Sequence, residues 1–134
     1  MVLEGRGICG GKAEARALVS SAAIAGWGGI DPLTGTIIET NHPLQGISFS
    51  GKVLVFPGAK GSSSWSAYFH ITRLAKSAPA ALVFTRMTTR IALGAVVLRV
   101  PAVMVSEQDL FELIENDDLV TVDGDMGTVA ISKR

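Results

Sequence analysis

A single cysteine, Cys9, leaves the chain no second thiol for a disulfide. It also falls short of the about three or four thiolates that a protein gives an iron–sulfur cluster, so any such cluster must be bound by another chain. Charge is scarce: Asp, Glu, Lys and Arg make up 18% of the residues, against about 25% in ordinary soluble domains. Twelve basic residues balance twelve acidic ones and neither sign forms a long block, which argues against a nucleic-acid backbone or an anionic membrane as partner. Long apolar runs are missing as well. The longest, from Ile91 to Val105, is interrupted by Arg99 and Pro101 and stops short of the roughly 18 uninterrupted apolar residues of a membrane span. The opening Met1-Val2-Leu3-Glu4-Gly5-Arg6-Gly7 places an acid and glycines where a secretory signal has a basic and then an apolar region, so a cytoplasmic location is expected.

What the chain does have is apolar surface. Hydrophobic residues make up 48% of its 134 positions, and the mean hydropathy is +0.39. A chain of this length forms one domain, residues 1–134, with one core, and is too short for a cleft between two domains of its own. A site of any size is therefore shared with a partner, and the apolar excess points to a protein interface.

The pattern along the chain falls into two regimes. Residues 1–20 predict two short strands around Gly10-Gly11, the second from Ala13 to Val19, as an edge hairpin. The glycine-dense stretch Gly26-Trp27-Gly28-Gly29-Ile30-Asp31-Pro32-Leu33-Thr34-Gly35 predicts a long ordered loop with unusual dihedrals. Short extended segments follow at Thr36–Glu39 and Ile47–Phe49, with a turn at His42-Pro43-Leu44. From Lys52 strands and helices alternate. Val53-Leu54-Val55-Phe56 is a run of the kind buried on both faces of a sheet. Trp65, Phe69, Ile71 and Leu74 then fit an amphipathic helix capped by Ser62, Ser63 or Ser64. A second cycle runs from strand 80–84 to helix 90–98. A third runs from strand 102–105 to helix 107–115, with Ser106 as cap and Asp109 three residues on. Leu119–Val122 and Thr128–Ile131 predict a terminal hairpin. The alternation implies an α/β fold with a parallel sheet, helical crossovers and antiparallel additions, layered β/β/α.

The strongest local signal is Phe56-Pro57-Gly58-Ala59-Lys60-Gly61-Ser62-Ser63-Ser64-Trp65. Placed between a buried strand and a helix, it points backbone N–H groups outward at a helix N-terminus, where the macrodipole favours an anion. Glycines allow close approach, Lys60 adds positive charge, and three hydroxyls offer donors, acceptors and a proton carrier. A phosphate-binding P-loop needs four residues between its glycines and a Gly-Lys-Ser/Thr order, and this loop has neither. The plain alternative is a capped helix with a solvated lysine.

Gly51-Lys52-Val53-Leu54-Val55-Phe56-Pro57 followed by Lys60-Gly61-Ser62-Ser63-Ser64 resembles the swivel-domain signature of the aconitase X family. The glycine-rich stretch from Trp27 to Gly35, His42-Pro43-Leu44 and Ala78-Pro79-Ala80-Ala81-Leu82-Val83-Phe84 resemble that family's pattern in order, covering most of residues 12–105. The resemblance implies a swivelling β/β/α domain, the small subunit of a heteromeric hydro-lyase. In that family a large subunit holds an iron–sulfur cluster and most contacts to a small hydroxy-acid substrate. The small subunit brings a catalytic serine, which by motif position is Ser62, with Lys60, Gly61, Ser63 and Ser64 as substrate-binding neighbours and no metal ligands of its own. Within the family, bacterial members dehydrate cis-3-hydroxy-L-proline to Δ1-pyrroline-2-carboxylate and archaeal ones mevalonate 5-phosphate; the serine loop here looks more like the bacterial form. Trp65 departs from members that carry a glycine shortly after the serines, and its bulk is expected to narrow the pocket.

Dehydration of a hydroxy acid removes a weakly acidic C–H proton beside a carboxylate and expels hydroxide. Ser62 as proton acceptor needs help from donors such as Lys60 and the N–H groups of Gly61 and Ser63. A rival from another class is a non-catalytic anion-binding or regulatory domain. A self-sufficient serine hydrolase fits poorly, because no nucleophile elbow or Ser-His-Asp order is present. Other residues carry competing readings. Cys9 is a reactive thiol or, more commonly, apolar filler. His70 is an acid or a packed side chain, and His42 reaches the interface or stabilises a turn. Trp27 and Asp31 line a cleft or serve a turn. Arg86, Arg90, Thr88 and Thr89 bind an anion or form a solvated turn.

Overall fold

The computed structural model describes the backbone of residues 1–134 and every side chain except those of Glu107 and Asp109. Strands β1 (Val2–Glu4), β2 (Arg6–Cys9) and β3 (Lys12–Val19) open the chain. The glycine-rich stretch carries β4 (Ile24–Ala25), β5 (Ile30–Asp31) and β6 (Thr36–Ile37). Then come β7 (Val53–Phe56), β8 (Ala59–Lys60), α1 (Trp65–Leu74), β9 (Ala81–Phe84), α2 (Thr89–Leu98), β10 (Ala102–Met104), α3 (Glu107–Leu113), β11 (Leu119–Asp123) and β12 (Thr128–Ser132). Among the described residues no helix is long and apolar enough to cross a membrane.

The main sheet runs β1-β12-β11-β3-β7-β9-β10-β2. Its centre, β3, β7, β9 and β10, is parallel, and antiparallel strands flank it on both sides. β1 and β2 stand at opposite ends of this order, yet only Gly5 separates them in sequence, and its N–H donates to the Gly127 carbonyl at 2.8 Å. One bent strand thus joins the two ends of the sheet. The bend requires glycine, since a Cβ on residue 5 would lie 2.2 Å from the Met104 carbonyl oxygen.

This closure corrects the expected N-terminal hairpin: β2 pairs with β10, whereas β3 pairs with β11 and β7. The physical reason lies in the second half of β3, where Ala17 and Leu18 are buried. Those residues draw the strand into the sheet centre, although its first half alternates like an edge. The glycine-dense stretch contains more pairing than a plain loop. β5 and β6 form a minimal hairpin whose turn starts at Asp31, its Oδ1 accepting from the Leu33 N–H at 3.0 Å.

Alternation along the central strands divides the interior into two cores. Val53 and Val55, with Ala81 and Val83, face a cluster closed by Val120, Val122 and Val129, into which α3 inserts Leu110. Leu54 and Phe56, with Leu82 and Phe84, face Trp65 and Phe69 of α1 and Ile91, Ala95 and Leu98 of α2. The chain steps from β7 to β9 to β10 in one direction, and right-handed crossovers then place both helices on one face. The layers are β/β/α, as the strand and helix alternation implies.

Helix ends differ from expectation in detail. Thr88 caps α2 by accepting from the Ile91 N–H at 3.3 Å, but Ser64 at the start of α1 and Ser106 at the start of α3 make no side-chain cap. The Asp109 half of the expected capping pair lies outside the described side chains. Beyond α3, the buried Asp118 carboxylate accepts from Lys133 Nζ and from the Glu115 N–H, both at 2.8 Å. The Lys133 ammonium, more than burial opposes it, holds Asp118 below its ordinary value of 3.8. A carboxyl whose native pKa is lowered stabilises the fold above its unfolded pKa and loses that contribution as pH falls through the native value. In denaturant melts the stability difference between wild type and Asp118→Asn should therefore be constant at neutral pH and shrink below about pH 4; a difference independent of pH down to pH 2 would count against the pair.

Candidate functional site

In open α/β sheets ligands gather at the carboxyl ends of the parallel strands, and here the loops after β7 and β9 meet at that edge. The Pro57 carbonyl accepts from the Thr85 N–H at 3.3 Å, the Arg86 N–H at 2.9 Å and the Thr85 hydroxyl at 3.0 Å. Two residues on, β8 pairs in parallel with β4, setting Lys60 opposite Ala25. At the far end of the loop the buried Trp65 indole N–H donates to the Ile24 carbonyl at 2.8 Å. Between these anchors Lys60, Gly61, Ser62 and Ser63 are exposed and Ser64 is half-buried. Gly61, at φ +92°, turns the chain from strand to serine run through backbone space that side chains disfavour.

The Ser62 hydroxyl is oriented from within the loop. It lies 2.5 Å from the Ser64 hydroxyl and accepts from the Ser64 N–H at 3.3 Å. A serine oxygen so placed is open to solvent and has a proton-carrying neighbour in contact. Lys60 does not serve it directly, because its ammonium donates to Glu39 Oε2 at 2.8 Å; a pair this exposed is worth about 0–1 kcal/mol. Ser63 instead lines a cavity of about 390 Å³ with Thr88, Thr89, Arg90 and Leu93. The serine loop and the start of α2, two features apart in sequence, thus form one recess between two helix N-termini. Arg86 is exposed and held at its backbone by Pro57.

The remaining candidates have structural partners. His42 is buried, its Nε2 3.1 Å from the Ala23 carbonyl and its Nδ1 accepting from the Leu44 N–H at 3.0 Å, so it stabilises its turn. Asp31 starts the β5–β6 turn, and Cys9 packs partly buried against the helical core. His70 is half-buried midway along α1, whereas Trp27 stands 72% exposed. A second cavity of about 740 Å³, lined by Val19, Leu44, Phe111 and Ile114, contains none of the serines. Glu39, the β4–β8 pairing and Gly94 were not singled out from the sequence; Glu39 is 21 residues from Lys60, beyond the reach of any local pattern.

Residues 2–131 match the sequence model of the aconitase X swivel domain. The chain belongs to that family. Among curated relatives, the phosphomevalonate dehydratase small subunit of Methanocella arvoryzae is 44% identical, the alignment covering 98% of this chain and all of the relative. The like-named protein of Methanothermobacter thermautotrophicus is 40% identical over 96% and 98% of the two chains. The crystal structure of holo-form Thermococcus kodakaraensis aconitase X superposes with a TM-score of 0.91 at 34% identity, covering 99% of each chain.

In this swivel domain Trp65 does not narrow any pocket. Its ring is fully buried, stacked on Phe69 at 4.1 Å and near Phe56 at 6.4 Å. The space it fills is left by Gly94 on α2, where an added Cβ would meet the Trp65 ring at 2.2 Å. Nor does the swivel chain fit an iron–sulfur cluster: Cys9 is its one thiol, and among the described residues no three His, Cys, Asp or Glu side chains converge. Gly94→Ala should destabilise the free chain by about 1–3 kcal/mol through overpacking. In a double-mutant cycle Trp65→Phe should relieve part of that loss. Strict additivity in thermal or urea melts would mean that the two do not share one space.

Proposed function

We propose that this chain is the small subunit of an aconitase X-type dehydratase, a cytoplasmic enzyme completed by a large subunit, and that its substrate is mevalonate 5-phosphate. The observation that carries the role is the exposed Ser62 hydroxyl, held by Ser64 on a loop anchored at both ends. The preference for cis-3-hydroxy-L-proline in the bacterial-looking serine loop gives way to the phosphorylated substrate, on two grounds. The curated relatives quoted above are named phosphomevalonate dehydratase small subunits. The recess also lies between the N-termini of α1 and α2, each favourable to an anion, which suits a substrate with both a carboxylate and a phosphate better than one with a carboxylate alone.

Ser62 Oγ takes the proton from the carbon beside the substrate carboxylate, and departure of hydroxide completes the loss of water on the partner's side of the cleft. A neutral serine hydroxyl is too weak a base for this, so Ser62 acts as the alkoxide and becomes the hydroxyl on taking the proton. The Ser64 hydroxyl, already in contact, and the N–H groups of Gly61 and Ser63 stabilise that alkoxide before the transfer. Ser63 and Arg90 bind the substrate's anionic end, and Lys60, steered by Glu39, holds the near wall. The iron–sulfur cluster of such an enzyme would be held by the large subunit, because this chain has a single thiol, Cys9.

In the co-purified complex Ser62→Ala should still assemble and lose about 10²-fold or more in turnover of mevalonate 5-phosphate, the usual worth of a positioned base. A loss of only a few-fold would leave the loop as an anion-binding element without a chemical role. Arg90→Ala should raise KM about 10-fold with little change in kcat, as loss of a charged hydrogen bond to bound substrate does. Turnover of cis-3-hydroxy-L-proline in preference to mevalonate 5-phosphate would reverse the substrate assignment.

A further inference from the structure

The serine loop lies between two exposed apolar flanks. On one side Trp27, 72% exposed, stands two residues beyond Ala25, the pairing partner of Lys60. On the other, Leu93 shares the cavity of Ser63. Val96, 61% exposed, follows three residues later on the same outward stripe of α2, opposite the buried Ile91, Gly94, Ala95 and Leu98. Met87, also exposed, sits in the turn between Arg86 and the Thr88 cap. Side chains of this size left in water around a candidate site mark an interaction surface.

Charge says what kind of surface meets it. Although the chain is neutral overall, between Thr40 and Ser106 it has several Lys and Arg and no Asp or Glu. Arg86 and Arg90 stand beside the α2 stripe. The acidic residues concentrate after Ser106, with α3 and β11, whose apolar side chains pack into the core on the other side of the sheet from α1 and α2. The face is apolar on both flanks of the serine loop and carries Arg86 and Arg90 on the α2 side. A second copy of this chain would set arginine against arginine across a two-fold contact, so the charge argues against self-association.

We infer that Trp27, Met87, Leu93 and Val96, with the exposed Arg86 beside Met87, form the surface on which the large subunit docks, through apolar side chains accompanied by acidic ones that meet Arg86. The inference rests on the proposed function for the existence of that subunit and adds where it binds. Trp27 is the anchor, an exposed aromatic side chain moving from water to a closed contact, as binding hot spots do. Docking there places the partner directly over Ser62.

The chain has two tryptophans, one exposed and one buried, which makes the test direct. With both replaced by fluorotryptophan, addition of the large subunit should shift the Trp27 fluorine resonance and remove its sensitivity to solvent, leaving Trp65 unmoved. Trp27→Ala and Val96→Asp should each weaken association about 10-fold or more without lowering the melting temperature of the free chain. Arg86→Glu should weaken it most at low salt. A complex that forms and turns over while the Trp27 resonance stays solvent-sensitive overturns this face and leaves the proposed function standing. Failure of the wild-type chain to associate at all overturns both. A Trp27 shift produced by the free chain alone at high concentration, or by vesicles of anionic lipid, overturns the assignment of the occupant.

Discussion

The burial of Trp65 is the constraint from which the rest of the site follows. Its ring fills the space that Gly94 leaves on α2, stacks on Phe69 and Phe56, and ties Ile24 to the start of α1 through its indole N–H. That one side chain fixes where α1 begins, how closely α1 and α2 pack, and where β4 lies. β4 in turn pairs with β8 and holds the near end of the serine loop. Residues 60–63 are left protruding because everything around them is anchored. A loop built on such rigid supports keeps the Ser62–Ser64 contact in place before any ligand arrives, as a positioned proton acceptor requires.

Much of the fold was legible because it rests on local chemistry. The runs Val53–Phe56 and Ala81–Phe84, each ending at a break, declare strands buried on both faces, and the apolar spacing after Trp65 declares a helix. What failed to show was pairing between distant segments. Nothing near Arg6 indicates that β2 joins β10, closing the sheet through a bend at Gly5 that the sequence displays only as one more glycine. Trp65 looked like a side chain of the pocket because it adjoins the serines. The deciding residue is Gly94, 29 positions away, and its meaning appears only when α1 and α2 are side by side. The serine loop stood out in the sequence as a candidate; that Ser63 shares a recess with Thr88 and Arg90, and that Lys60 pairs with Glu39, depends on crossovers no short window contains.

Net neutrality conceals an uneven molecule. Basic residues are spread along the stretch that carries the two helices, with Arg86 and Arg90 at the start of α2, and acidic ones concentrate with α3 and the strands that follow. Exposed Trp27, Leu93 and Val96 flank the exposed Ser62 hydroxyl, and among the described residues no metal donors converge; under the proposed function such a face is one wall of a cleft.

The most direct measurement of this incompleteness is a reconstitution titration, with turnover of mevalonate 5-phosphate followed as the chain is added to a fixed amount of the large subunit. Activity should be absent with either protein alone and rise to saturation as the complex fills. Turnover by the isolated 14.0 kDa chain, or by the large subunit at full rate without it, would contradict the account.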